Sequence, residues 1–66
     1  MGYKVKEIRE QKGLTQEQLA KASGVSRVTI SAIENNSEYQ AKTGTLLALA
    51  KAMDTTIDKI FFETAV

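Results

Sequence analysis

The chain has no cysteine and no histidine. Thiol nucleophiles, disulfide staples, imidazole bases and the usual zinc and transition-metal ligands are therefore missing, and neither a cofactor nor a metal site is expected. Proline is absent as well, which leaves local punctuation to the glycines at positions 2, 13, 24 and 44. Long apolar runs are also missing. The longest, residues 46–50, is far too short to span a bilayer, and the opening Met1-Gly2-Tyr3-Lys4 lacks the hydrophobic core of a secretory signal. The expectation is a cytoplasmic protein without membrane contact, in which the sequon-like Asn35-Asn36-Ser37 has no chemistry to serve.

What is present is the composition of an ordinary globular chain: 66 residues, 42% hydrophobic and 26% charged. A chain of this size makes one domain and buries only about 60% of its unfolded surface, so each apolar residue counts. The net charge of +1 conceals a polarity along the sequence. Residues 1–27 carry six bases (Lys4, Lys6, Arg9, Lys12, Lys21, Arg27) against three acids (Glu7, Glu10, Glu17), a net of +3. Residues 28–66 carry Lys42, Lys51 and Lys59 against Glu34, Glu38, Asp54, Asp58 and Glu63, a net of −2. Such a distribution either offers one basic face to phosphates or is simply a solvated surface.

Apolar spacing predicts five helices and an all-α fold. Val5 and Ile8, with Leu14 just beyond Gly13, suit a helix over about 3–12 that stops at a left-handed glycine. Thr15 followed three residues later by Gln18 is a capping-box pattern, opening a second helix over about 16–23 that Gly24 ends. Ser26 is a good N-cap for a third helix with Ile30 and Ile33 on its inner side, and only three residues link the two. So short a link, with small Ala20 allowing close approach, keeps helices two and three packed as a unit with a sharp change of axis. Residues 35–44 are polar and aperiodic. Leu46, Leu49, Ala50 and Met53 then mark a fourth helix over 45–53, and Thr55 with Asp58 caps a fifth carrying Ile57, Ile60 and Phe61.

The stretch from Leu14-Thr15-Gln16-Glu17-Gln18-Leu19-Ala20 through Gly24-Val25-Ser26-Arg27-Val28-Thr29-Ile30-Ser31-Ala32-Ile33-Glu34-Asn35 resembles the helix-turn-helix of phage-repressor, Cro-type (XRE family) regulators. Residues 45–53 and 57–61 resemble that family's last two helices, so the likeness covers essentially the whole chain. It implies a compact five-helix, lambda-repressor-like DNA-binding domain over 1–66, with the helix-turn-helix at about 15–35 and helix three in the major groove.

With Ile30 and Ile33 facing inward, a step of about 100° per residue puts Val28, Ala32 and Asn35 near the opposite side, Ser31 beside them and Arg27 on the first turn. This narrow, short-chained flank suits a groove about 12 Å wide. Candidate base contacts are Arg27, Val28, Thr29, Ser31 and Ala32. Arg27 can bridge O6 and N7 of a guanine or bind phosphate only; Val28 can meet a thymine methyl or form the rim of the core; Thr29 and Ser31 can bond either a base or a phosphate; Ala32 matters by being small. Candidate phosphate contacts are Thr15, Gln16, Ser26, Asn35, Asn36, Tyr39 and Lys42. The resemblance assigns Gln16 the anchoring role, at a helix start whose free N–H groups and dipole favour an anion. Thr15 and Ser26 also have cap duties, and Tyr39 is either a hydroxyl donor or a lid over the core. The family further pairs an arginine of helix one with the glutamate ending helix three, which here are Arg9 and Glu34. Where it usually has glycine after Glu-Asn, this chain has Asn36, the next-best residue for a left-handed turn. The following loop lacks the common proline and is about one residue longer.

The expected function is sequence-specific binding of double-stranded DNA by a non-enzymatic transcriptional regulator, a repressor on a near-palindromic operator. One module buries little surface, so a homodimer is expected, with apolar residues near helix five, including Phe62 and Val66, as its interface. Five helices use up the 66 residues, so no small-molecule sensor is expected and control comes from concentration, operator arrangement or a partner. The rival is a protein-interaction module such as an antitoxin or accessory factor, which the low net charge favours. Catalysis is the weakest reading: Asp54 and Asp58 could share a helix face, but capping explains them better.

Overall fold

The computed structural model describes residues 3–36 and 39–61, and all regular structure among them is helical: α1 Val5–Gln11, α2 Gln16–Ser23, α3 Arg27–Asn35, α4 Thr43–Ala52 and α5 Ile57–Phe61. The all-α, five-helix reading is borne out. The buried apolar residues are Val5 and Ile8 from α1, Leu19 from α2, Ile30 and Ile33 from α3, Leu46, Leu49 and Ala50 from α4, Met53 and Ile60. They form one core, with Tyr3, Leu14, Val25, Tyr39 and Ile57 packed around it. α2 packs on both α3 and α4, α1 on α3, and α4 on α5. α3 is thereby held along one side and open on the other.

The helix ends explain how so short a chain fits five helices. After α1, the Gly13 N–H donates to the Glu10 carbonyl and the Leu14 N–H to the Arg9 carbonyl, with Gly13 at φ +73°. This pair of bonds satisfies the last free carbonyls and needs a left-handed residue, which glycine adopts without a Cβ clash. α1 is shorter than the spacing predicts, and the Lys4 N–H donates to the Ile60 carbonyl at 3.0 Å, tying the chain ahead of α1 to α5.

Three further expectations are corrected. α4 starts two residues early, at Thr43, and ends at Ala52, so Gly44 lies inside its first turn rather than ahead of it. Asn36 is extended (φ −119°, ψ 103°) rather than left-handed. Its carbonyl accepts from the Tyr39 N–H at 3.0 Å, and Tyr39 packs on the core. Among the described residues, the left-handed non-glycine residue is Asp54 (φ 55°), in the same paired-bond stop as Gly13: its N–H donates to the Lys51 carbonyl and that of Thr55 to the Ala50 carbonyl. The Thr55 N–H is thus used to close α4, and α5 begins at Ile57, beyond the expected cap. Phe62 and Val66 lie outside the described residues.

Candidate nucleic-acid interface

The site is built on the α2–α3 pair. At the start of α2 the Thr15 hydroxyl accepts from the Gln18 N–H at 3.0 Å while the Gln18 side chain accepts from the Thr15 N–H at 2.9 Å, the complete reciprocal cap. Gly24, at φ +78°, ends α2, with its N–H donating to the Ala20 carbonyl. The Ser23 hydroxyl then accepts from the Val25 N–H at 3.1 Å, and the Ser26 hydroxyl accepts from the Thr29 N–H at 3.1 Å as the cap of α3. Residues 24–26 are therefore bonded on both sides, which fixes the angle between the two helices.

α3 turns Ile30 and Ile33 into the core and leaves Val28 79% exposed, a large apolar side chain at the centre of the open flank. Arg27 is exposed, and Ser31 and Ala32 are half-buried. A shallow groove brings Arg27, Val28, Ser31 and Ala32 together with Gln16 from α2. Arg27 also borders a second groove along α2, lined by Thr15, Glu17, Gln18, Ala20 and Lys21. Neighbouring polar groups are held in place: the Asn35 amide donates to the Ser31 hydroxyl at 3.1 Å, and the Ser26 hydroxyl donates to that of Thr29 at 2.9 Å. Asn36 and Lys42 are exposed, and Tyr39 is half-buried against the core, where a lid would sit.

One acid stands on α3, and it does not face solvent. Glu34 is 1% exposed at its side chain and Arg9 11%. Arg9 Nε donates to Glu34 Oε2 at 2.7 Å and Nη2 to Oε1 at 3.2 Å, while Nη1 donates to the Leu14 carbonyl at 2.7 Å. The guanidinium thus clamps α1, the turn before α2 and the end of α3. Hydrogen bonding to Glu34 raises the Arg9 pKa above its ordinary value against the opposing effect of burial, and the charges of Glu34 and Glu10 add to the rise. With the Glu34 charge neutralised in this way, Arg27 is the ionic group on the open flank of α3. Oε1 of Glu34 also accepts from Gln16 Nε2 at 3.0 Å, a bond that sequence reasoning missed. The available signal was indirect: pairing the end of α3 with α1 brings the Glu34 carboxylate past the amino end of α2.

Two capped helices joined by a rigid three-residue turn, the second with a narrow polar-and-apolar flank turned outward, define a helix-turn-helix domain. A model of the helix-turn-helix family matches residues 5–60. The chain belongs to the XRE-type, Cro/CI-like helix-turn-helix family, a family of DNA-binding transcription regulators that are typically non-enzymatic. No curated protein matches the chain. Among the described residues, no helix is long and apolar enough to cross a membrane.

Proposed function

We propose that the protein is a sequence-specific reader of double-stranded DNA that represses transcription by occupying a near-palindromic operator, with residues 15–35 as the reading unit and α3 in the major groove. The observation that carries this reading is the open flank of α3. A valine left 79% exposed next to an arginine, in a groove completed by Gln16, Ser31 and Ala32, matches the mixed methyl and acceptor pattern of base edges. Arg27 and Val28 read bases, with Thr29, Ser31 and Ala32 setting how closely the helix approaches. Thr15, Gln16, Ser26 and Asn35 fix the register on the backbone, and Asn36, Tyr39 and Lys42 are its outer contacts. Lys42 stands at the start of α4, where no side-chain hydrogen bond caps the free N–H groups, an arrangement that favours a phosphate.

The described fold measures 32 × 21 × 19 Å, small enough for two copies to sit side by side on half-sites one helical turn apart. Two copies related by a two-fold axis set their α3 helices about 34 Å apart on one face of the duplex. Leu47, 44% exposed on α4, is a further apolar side chain that a second copy could cover, in addition to Phe62 and Val66.

Binding measured against salt and competitor DNA tests this function. A DNA reader loses affinity steeply as salt rises and prefers its selected site over random duplex by roughly a thousandfold or more. Weak, salt-insensitive binding without sequence preference would instead support the interaction-module reading. Sedimentation with and without operator tests the dimer, which a single copy on a complete operator would refute.

A further inference from the structure

The Arg9–Glu34 pair has a second acceptor function. Glu34 Oε1 takes the Nη2 hydrogen of Arg9 at 3.2 Å and the Nε2 hydrogen of Gln16 at 3.0 Å, so one buried oxygen is shared between the clamp and a residue of the open groove. Gln16 is half-buried, the first residue of α2, and no part of the capping box beside it. A glutamine on a first turn would ordinarily sample several rotamers in water, and ordering it on binding costs affinity. Here the carboxylate that holds it is itself immobilised by two guanidinium bonds. An amide nitrogen carries two hydrogens. One is committed to Glu34, which restricts the amide and leaves the other for a partner, and Gln16 itself lines the groove.

We infer that Glu34 is a positioning residue for DNA binding: its carboxylate pre-orients the Gln16 amide toward a backbone phosphate, and Arg9 supports affinity through Glu34 without touching DNA itself. This rests on the DNA-binding reading above. It assigns the ion pair an effect on affinity separate from its effect on folding, because the same carboxylate serves both.

The test is a thermodynamic cycle on the full chain, using an operator obtained by selection from random DNA and, alongside it, an unrelated duplex. The proteins are wild type, Gln16→Ala, the apolar pair Arg9→Met with Glu34→Leu, and the triple variant, each confirmed folded by its melting curve. Replacing a buried ion pair by apolar residues of similar volume is often close to neutral for stability. Because Arg9→Met also removes the bond to the Leu14 carbonyl, backbone amide shifts of residues 14–18 matching wild type are required before the pair variant is read as separating folding from positioning. Gln16→Ala is expected to weaken binding roughly tenfold on both duplexes, the pair variant by a similar factor, and the triple variant by no more than either. The salt dependence stays unchanged throughout, because the amide is neutral and the pair is removed as a neutral unit.

Full affinity in a folded pair variant, or losses that multiply in the triple variant, would overturn the inference. A shallower salt dependence in the pair variant would do so too, by making Arg9 a direct phosphate contact. Wild type that binds neither duplex refutes the DNA reading and this inference together. Should the pair variant not fold, side-chain 15N relaxation of the free wild-type protein decides: the Gln16 amide is expected to be as ordered as the backbone, and mobility equal to that of exposed Gln40 would overturn the proposal.

Discussion

Removing the Val28 side chain separates reading from folding more cleanly than any other change on α3. Val28 is 79% exposed, so Val28→Ala opens no cavity and alters unfolding free energy by about 0.5 kcal/mol or less, with alanine the better helix former. Against DNA the same change deletes two carbons from a contact with a thymine methyl. At about 0.8 kcal/mol per buried methylene-sized group, the loss is about 0.8–1.6 kcal/mol, a factor of roughly 4–15 in affinity. Deleting the methyl from the other side, by placing deoxyuridine for thymine at one operator position, costs wild type about 0.8 kcal/mol. In the Val28→Ala variant the same substitution costs close to nothing, because its partner has gone. Fluorescence anisotropy with one thymine replaced at a time locates the coupled position. Equal losses for deoxyuridine in wild type and variant at every position would refute a methyl contact. A large drop in melting temperature for Val28→Ala would return Val28 to the core.

Arg27→Ala is expected to relax preference at one base pair per half-site by about 1–3 kcal/mol, measured against a panel of mutated operators; equal losses on all sites would make Arg27 a phosphate contact. Glu34→Ala leaves Arg9 buried without its partner and costs about 3–5 kcal/mol. A chain of 66 residues has about 3–10 kcal/mol in total, so the variant loses a large share of its stability and melts at a clearly lower temperature by circular dichroism, and unchanged melting would contradict the pair. Asp54→Gly relieves a left-handed φ of 55° and raises stability, by about 0.5–1 kcal/mol or roughly 2–8 °C in melting temperature. Asp54 lies in a groove with Lys4, Glu7 and Lys12, apart from the α3 groove, so DNA affinity is unchanged. A lower melting temperature would mean that the carboxylate has a role the backbone strain does not reveal.

The legible part of this structure is what short-range rules govern. Thr15, Gln18 and Ser26 are caps whose partners lie three residues away, and Gly13 and Gly24 hold conformations that other residues adopt at a cost, so both can be read locally. The stripe of Leu46, Leu49, Ala50 and Met53 is buried as its period requires. What escaped depends on the destination of the chain. Asn36 is extended, and its carbonyl meets the N–H of Tyr39, a residue packed on the core and three positions further along the chain. Asp54 is left-handed because α4 needs the Ala50 and Lys51 carbonyls closed before α5 can begin. For the site, helical phase placed Val28, Ser31 and Ala32 together with Arg27 on the first turn, and these four share one groove; Thr29, nominated with them, does not line it. The Glu34–Gln16 bond joins residues 18 apart on different helices, and no local pattern encodes it.

The central claim is that α3 enters the major groove through its Arg27–Val28 flank, and methylation interference tests it directly. Dimethyl sulfate marks guanine N7 in the major groove and adenine N3 in the minor groove of the selected operator. Wild type is predicted to be blocked by guanine N7 methylation in each half-site, and Arg27→Ala to lose that sensitivity at one guanine per half-site while keeping the rest. Interference confined to adenine N3, or a guanine pattern identical in wild type and Arg27→Ala, would contradict it.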